Sequence, residues 1–273
     1  AITGLGRAAG GAILPGAVIV LVALVGWRGS WIAAALVTAG LVLPFCMIAL
    51  SRRPVRSDEA GTIAASGPSS PVTRHWTRAE VVRDPLFYAL LIGVVAPPFI
   101  LTGVFFHAAH IMQVKGLNMT DYAAAFPMFA IGSVIVSLAA GWAIDRWGAK
   151  RLVTIYLVPL VAGLLLLSFA QSPIWLFVFM GLAGASDGTS ATLVSALWAE
   201  LYGTRHLGAI RSLAIAAVVA STAIAPGIMG VLVDHGVGIE LQLLLASAYT
   251  LTVAAMFVGL RATVARLRTA DAA

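Results

Sequence analysis

The sequence predicts an all-α polytopic membrane protein. Hydrophobic residues make up 60% of the 273 residues, and the mean hydropathy is +0.99, whereas a soluble domain is usually about 45–50% apolar. The apolar residues occur in runs that approach or exceed the roughly 20 residues needed for a helix to cross a bilayer. Only 10% of the residues are charged, and most of these lie between the runs. A bundle of transmembrane helices is therefore expected.

Eight runs of membrane length follow one another along the chain. Two of them precede a long polar loop, and six come after it. The predicted spans are Ala8 to Trp27, Trp31 to Leu50, Leu86 to His107, Ala123 to Ile144, Leu152 to Ala170, Pro173 to Leu197, Ser212 to Val233 and Leu241 to Leu260. Because each span crosses the membrane once, successive loops should lie on opposite sides.

The basic residues are distributed very unevenly between the two sides. All but two of the 17 lysines and arginines fall on one side, the exceptions being Arg28 and Lys115. By the positive-inside rule that side is cytoplasmic, and both ends of the chain should face it. The net charge of +6 is spread over short loops and forms no single patch, so membrane topology explains it better than nucleic-acid binding does.

The segment from Ser51 to Asp84 is the main break in composition. It is rich in serine, proline, glycine and charge, as expected of a flexible tether. Near its end, Thr77 and Glu80 have the spacing of a capping box for a short helix. Asp84 followed by Pro85 predicts the N-cap and first residue of the third span.

A short charged segment, Gly141 to Arg151, separates the fourth and fifth spans. It follows the pattern Gly-x-x-x-Asp-Arg-x-Gly-x-Lys-Arg, in which Asp145 comes at the end of a helix. The helix dipole disfavours a carboxylate there by a few tenths to about 1 kcal/mol. Other groups should therefore hold Asp145. An ordinary cytoplasmic loop between two membrane helices is the simpler interpretation.

This segment resembles the signature loop of the major facilitator superfamily of secondary transporters. The matching residues are Gly141, Asp145, Arg146, Gly148 and Lys150. The resemblance implies a bundle of twelve helices, of which this chain carries helices 5 to 12. The chain is accordingly expected to be a fragment that lacks helices 1 to 4, with part of the transport cavity supplied by those missing helices.

The same alignment divides the chain into three parts. Residues 1–51 correspond to the last two helices of the N-terminal half, and residues 52–84 to the central cytoplasmic loop. Residues 85–273 correspond to the six-helix C-terminal half with a short cytoplasmic tail. The segment from Phe105 to Phe126 is similar to the monocarboxylate-transporter-like arm of the superfamily, which implies a carboxylate as a candidate substrate.

The resemblance also implies a cytoplasmic gate. Its expected members are Gly141, Asp145, Arg146, Gly148, Lys150, Arg151 and Glu200. Glu200 is expected to pair with Arg146, and Asp145 to face the N-terminus of the helix that begins near Ser212. Such bonds would form in one state of an alternating-access cycle and break in the other. The alternative is a surface ion pair worth only about 0–1 kcal/mol.

Asp187 is the acidic residue placed deepest in a predicted span. It lies 14 residues after Pro173, about 20 Å along a helix, where inserting a carboxylate costs about 3 kcal/mol. It should therefore face the bundle interior or water. A proton or substrate site is one interpretation, and a carboxylate that binds a neighbouring helix structurally is the other.

His107 and His110 lie one turn apart near the outer end of the third span. They could attract an anionic substrate, or change charge in the physiological range and take part in coupling. Histidines at a membrane surface also occur simply because they are amphipathic, so this interpretation stays open.

Glycines and prolines inside the spans predict two packing features. Gly181, Gly184 and Gly188 allow another helix to approach closely. Pro97-Pro98 and Pro159 predict kinks, whose freed carbonyls would line a pathway or bond to neighbouring helices.

Together these features predict a transporter of a small organic solute, coupled to protons or to an exchanged solute. The polar groups lie at several membrane depths, which suits a translocation path better than the single reaction centre of a membrane-embedded enzyme, the main alternative. A nontransporting sensor of the same fold is a weaker one. The expected partners are the solute, the bilayer and the missing helices, with no nucleic acid, cofactor, catalytic residue or metal. A monomer in the cell membrane is expected.

Overall fold

The computed structural model describes residues 2–51 and 75–270, in which the regular structure is entirely helical. The contacts divide the chain into two compact units, one formed by residues 13–68 and the other by residues 1–12 with 69–273. The elements are α1 (Ile2–Val37), a π-helical turn (Thr38–Val42), α2 (Leu43–Ser51), α3 (Arg78–Val82), α4 (Pro85–Phe106), α5 (Ala108–Lys115), α6 (Met119–Trp147), α7 (Ala149–Leu152), α8 (Val158–Ser168), α9 (Ile174–Tyr202), α10 (Leu207–Asp234) and α11 (Ile239–Ala270).

In the smaller unit, α1 is interrupted at Gly26. Its φ of 71° and ψ of 170° lie outside the helical region, and glycine adopts a positive φ without steric cost. This break falls at the predicted boundary between the first two spans. Large apolar side chains are exposed here, with 76% of Leu24 and 72% of Trp31 accessible. An apolar surface of this kind is typical of a membrane-facing or partner-facing helix.

In the larger unit, the local start signals read from the sequence are confirmed. Thr77 caps α3 in a capping box with Glu80. The Asp84 side chain accepts a hydrogen bond from the backbone N–H of Leu86, and Pro85 opens α4. Residues 52–74, which make up most of the predicted central loop, lie outside the described residues.

The larger unit is built around contacts between long helices. Helix α4 packs on α10, α6 on α9, and α8 on both α9 and α11. Two apolar clusters fill the spaces between them. One contains Phe87, Trp198 and Phe257, and the other contains Leu164 and Phe179. Helix α9 contributes to both clusters, so it is the central element of the packing.

Helices α6 and α9 touch backbone to backbone. A Cβ atom built on Gly184 would lie 2.0 Å from the carbonyl oxygen of Phe129, and one on Gly188 would lie 2.1 Å from that of Ser133. The predicted close approach is therefore confirmed at these two glycines. At Gly181 a Cβ atom would meet nothing within 4 Å.

The proline pair in α4 frees a carbonyl that accepts a hydrogen bond from the turns between α7 and α8. Pro97 has no N–H to donate to the carbonyl of Gly93, four residues earlier. The Tyr156 hydroxyl donates to that oxygen at 2.6 Å in a buried position, as predicted for a freed carbonyl. Pro159 is different, because it lies at the first turn of α8, where proline is well tolerated. The predicted kink at Pro159 is wrong.

Five helices in the described part of the chain are long and apolar enough to cross a membrane. They are Val20–Ile48, Pro85–Phe106, Met119–Trp147, Leu207–Asp234 and Ile239–Gly259. Helix α8 has only 11 residues, because turns at 153–157 replace the start of the predicted fifth span. Helix α9 has 29 residues, but its small and polar residues lower its hydropathy. The count of eight spans stays a prediction.

Candidate functional site

A cavity of about 430 Å³ lies between α4, α6, α9 and α10. Its walls are mainly apolar. The lining residues from α4 are Val94, Pro97, Pro98, Leu101, Thr102 and Phe105, and Phe129 comes from α6. Those from α9 and α10 are Asp187, Ser190, Ala191, Val194, Ser195, Trp198, Arg211, Ala214, Ile215 and Val218. An apolar cavity with a few polar groups is the usual form of a small-molecule site.

Asp187 lies near the middle of α9 and lines this cavity. It is half-buried, and its Oδ2 atom accepts a hydrogen bond from the Ser133 hydroxyl of α6 at 3.2 Å. The neighbouring Gly184 and Gly188 hold the α6 backbone against α9. The close glycine contact thus brings Ser133 within reach of the carboxylate.

Arg211 also lines the cavity, and the sequence interpretation used it only to assign topology. It lies in the first turns of α10, where its Nη2 atom donates to the Ser195 hydroxyl at 3.0 Å. Ser195 follows Asp187 by eight residues, about 12 Å along the helix. The cavity therefore has an acidic group at one level and a basic group at another.

Two further polar groups on the cavity wall have no hydrogen-bond partner. They are Ser190 Oγ and Trp198 Nε1, both inaccessible to solvent. Buried polar groups are nearly always paired. One sequence signal could have placed these residues together. Ser190 and Trp198 follow Asp187 by three and eleven residues, so all three lie on one face of the helix.

The two predicted histidines lie apart from this cavity lining. His107 ends α4, and its Nδ1 atom is 3.1 Å from the carbonyl oxygen of Gly103. Its Nε2 atom lies 3.7 Å from the Cβ position of Gly230 on α10. His110 is partly buried on α5. The cavity lining from α4 ends at Phe105, so the structure does not group the histidines with Asp187.

At the opposite end of α4 from His107, Glu200 binds the turn of the charged motif. Glu200 Oε1 accepts a hydrogen bond from the backbone N–H of Ala149 at 2.7 Å. A Cβ atom on Gly148 would be 3.4 Å from the same oxygen, and Gly148 has a φ of 80° that favours glycine. The carboxylate of α9 thereby caps the first turn of α7, inside the motif.

The other charged residues of the motif are exposed. Arg146 lies over the ring of Trp142, 5.9 Å from its centroid, and forms no ion pair with Glu200 among the described residues. Asp145 is exposed and has no hydrogen bond or ion pair with any residue that the structure describes. The expected partner helix, α10, begins at Leu207, before Ser212. The contact between α9 and the motif is therefore made through Ala149 and Glu200, and the role of Asp145 stays a prediction.

The end of α9 is also tied to the segment before α4. The Tyr202 hydroxyl donates to Asp84 Oδ2 at 2.7 Å, and the Trp76 N–H donates to the Tyr202 carbonyl at 3.0 Å. Since Asp84 also caps α4, one carboxylate links α4 to α9. Glu200 and Tyr202 are two residues apart on α9. Glu200 binds the turn between α6 and α7, and Tyr202 binds the segment before α4.

At the other end of the larger unit, Lys115 joins three helices. Its ammonium group, on a side chain only 4% exposed, binds Glu240 Oε1 at 2.6 Å and the carbonyl oxygen of Ser168. These contacts connect the C-terminal ends of α5 and α8 to the start of α11. In the described part of the chain, no group of three or more His, Cys, Asp or Glu residues could hold a metal ion.

The helices and the cavity define a multi-pass membrane protein with a polar site enclosed by a helical bundle. The chain belongs to the Major Facilitator Superfamily, because the sequence profile of that family matches residues 102–272, well over half of the chain. No curated protein matches the chain. The predicted family and the all-helical membrane fold are thereby confirmed, and the family is one of membrane transporters.

Proposed function

We propose that this chain forms part of a secondary active transporter that moves a small organic solute by alternating access. The observation that carries the proposal is the cavity of about 430 Å³, in which Asp187 and Arg211 lie among apolar walls. Charged groups are expensive inside a membrane and mark substrate or ion pathways. A cavity in the interior of a helical bundle is also where transporters of this architecture bind their solutes.

Proton coupling is assigned to Asp187. It lies midway along α9 on the cavity wall, with Ser133 as a hydrogen-bond donor. A carboxylate is a group that can carry a proton, and this one is reached from the cavity. His107 and His110 are retained as an outer substrate or proton site, since they lie at the end of α4 opposite the motif. A carboxylate is the proposed solute class.

The proposed cytoplasmic gate lies where Glu200 binds the charged segment Gly141 to Arg151. Support comes from the 2.7 Å bond between Glu200 and the Ala149 N–H, which joins α9 to the turn at Gly148. Breaking this bond would free α9 from the turn, as a rocking motion requires. In this proposal Gly141, Asp145, Arg146, Lys150 and Arg151 complete the gate on its exposed surface.

The topology is proposed on the same basis. The chain would supply helices 5 to 12 of a twelve-helix monomer in the cell membrane, with both of its ends in the cytoplasm. Helices 1 to 4 would complete the wall of the cavity, and the subfamily would be the monocarboxylate-transporter-like arm.

The test compares two transport modes of the full-length protein in proteoliposomes. We expect Asp187→Asn to abolish accumulation driven by a proton gradient, because the amide cannot carry a proton through the cycle. Exchange of labelled for unlabelled solute needs no net proton movement and should persist. Asp234→Asn, at the exposed end of α10, is the matched control and should retain both modes. Normal proton-driven accumulation by Asp187→Asn would refute the assignment, provided that the amount of inserted protein is unchanged.

A further inference from the structure

We propose that the cavity selects a bipolar solute, with a carboxylate bound at Arg211 and a hydrogen-bond donor bound at Asp187. The inference rests on the proposed transport function and goes further, because it names the two ends of the solute and the residues that bind each end. It derives from the order of polar groups along the cavity wall. An apolar body must join the two ends of the solute.

The polar groups of α9 form one continuous stripe. Asp187, Ser190, Ser195 and Trp198 follow each other at intervals of three, five and three residues, which places them within a sector of about 140° of the helix surface. All four line the cavity. From the first to the last, the stripe extends about 16 Å along the helix. The acidic group is at one end, and the donors follow toward the other.

The end at Arg211 is rich in donors. The Arg211 guanidinium has five N–H donors in a planar fork, a geometry that matches a carboxylate. One of its nitrogens binds the Ser195 hydroxyl, which anchors the fork on the α9 wall. A cation held on the cavity wall favours an anionic ligand.

The end at Asp187 has the opposite character. The Asp187 carboxylate lines the cavity and accepts a hydrogen bond from Ser133, and a carboxylate oxygen can take more than one hydrogen bond. This end therefore favours a hydroxyl or an amine.

Between the two ends the walls are apolar. Leu101, Phe105 and Phe129 face the cavity from α4 and α6, and Ile215 and Val218 face it from α10. The rise from Asp187 to Ser195, where Arg211 is anchored, is about 12 Å. The proposed solute is therefore one aromatic ring with a polar group at each end.

The experiment measures binding to the purified full-length protein in detergent, separately from transport. Three probes are compared. Para-hydroxyphenylacetate carries a carboxylate and a hydroxyl donor, phenylacetate carries only the carboxylate, and para-hydroxyphenylacetamide carries the hydroxyl with a neutral amide in place of the carboxylate. Wild-type protein should bind the first probe most tightly, and loss of one charge-assisted hydrogen bond should weaken binding by about tenfold or more. The neutral amide should bind weakest.

Two variants separate the two ends of the site. Arg211→Gln should weaken both carboxylates by about tenfold or more, and Arg211→Lys should give an intermediate loss because it keeps the charge without the fork. Asp187→Leu should remove the preference for the hydroxylated acid over phenylacetate. Arg205→Gln, an exposed arginine outside the cavity lining, is the control and should bind like wild type.

The inference is overturned if wild-type protein does not distinguish the acid from its amide. It is also overturned if Arg211→Gln and Arg211→Lys bind phenylacetate as tightly as Arg205→Gln does. Binding with the expected pattern but without any solute exchange in proteoliposomes would refute the transporter proposal and leave the subsite in place. Exchange of another solute with no response to the three probes would refute the subsite alone.

Discussion

The contact between α6 and α9 predicts that Gly184→Ala lowers stability, and Gly181→Ala on the same helix serves as the control. A Cβ atom at Gly184 would lie 2.0 Å from the carbonyl oxygen of Phe129 and 2.8 Å from its carbonyl carbon. Both are backbone atoms, so no side-chain rotation can relieve the clash. Restoring ordinary contact requires the oxygen to move to at least 3.4 Å. In Gly184→Ala the two helices must therefore separate.

The size of the effect follows from two opposing terms. Overpacking of this kind costs about 1–3 kcal/mol or more, while replacing a helical glycine with alanine gains about 1 kcal/mol. Because only the backbone can move, the larger overpacking costs apply, and Gly184→Ala should be destabilised by about 2 kcal/mol or more. At Gly181, on the same helix, an added Cβ meets nothing within 4 Å. Gly181→Ala should keep the gain and be equally or more stable than the natural protein.

The assay is thermal unfolding of the full-length protein in detergent, with both alanine variants and the natural protein prepared side by side. The separation of α6 from α9 should also stretch the 3.2 Å bond between Ser133 and Asp187, so Gly184→Ala should impair proton-driven transport as well. Equal stability of Gly184→Ala and Gly181→Ala would refute the backbone contact.

Two further predictions concern single hydrogen bonds. Tyr156→Phe removes the donor to the Gly93 carbonyl, so it should lower the free energy of unfolding by about 1–3 kcal/mol, measured by thermal unfolding in detergent. Glu200→Ala removes the acceptor of the Ala149 N–H, so hydrogen–deuterium exchange of residues 148–152 should speed up by about tenfold. Glu200→Gln keeps an acceptor and should change exchange less.

Each of these has a matched comparison. Tyr88→Phe removes a hydroxyl that donates to a carbonyl at an exposed site and should change stability by no more than about 0.5 kcal/mol. If Tyr156→Phe is no worse than Tyr88→Phe, the freed carbonyl is not dependent on Tyr156. For the motif, Glu240→Ala removes a carboxylate at the other end of the unit. If hydrogen–deuterium exchange at residues 148–152 is equally fast in Glu200→Ala and Glu240→Ala, Glu200 does not protect this turn.

Features set by neighbouring residues could be predicted from the sequence. The capping box of Thr77 with Glu80 and the Asp84–Pro85 start of α4 both formed as predicted. These interactions join residues two or three positions apart, so no knowledge of the fold is needed. The apolar runs and the charged motif likewise predicted the helical membrane fold and the family, which the sequence profile confirmed.

Features that join distant residues could be predicted only in part. The glycine pattern on α9 predicted close packing, but it did not reveal that a Cβ atom at Gly184 would meet the α6 backbone while one at Gly181 would not. Glu200 was expected to meet the motif, yet its bond is to the Ala149 N–H rather than to Arg146. Which atoms meet depends on the rotation of each helix, and hydropathy does not determine that rotation closely enough.

The residue pattern was enough to predict the class of protein, the positions of most helices and a carboxylate at Asp187 within the sixth predicted span. What surrounds that carboxylate depends on how the helices pack. Arg211 and Trp198 joined the cavity because α9 and α10 turn those residues toward the same space. The physical reason is range: propensity, capping and hydropathy act over a few residues, whereas a cavity is formed by the packing of helices that are far apart in the chain.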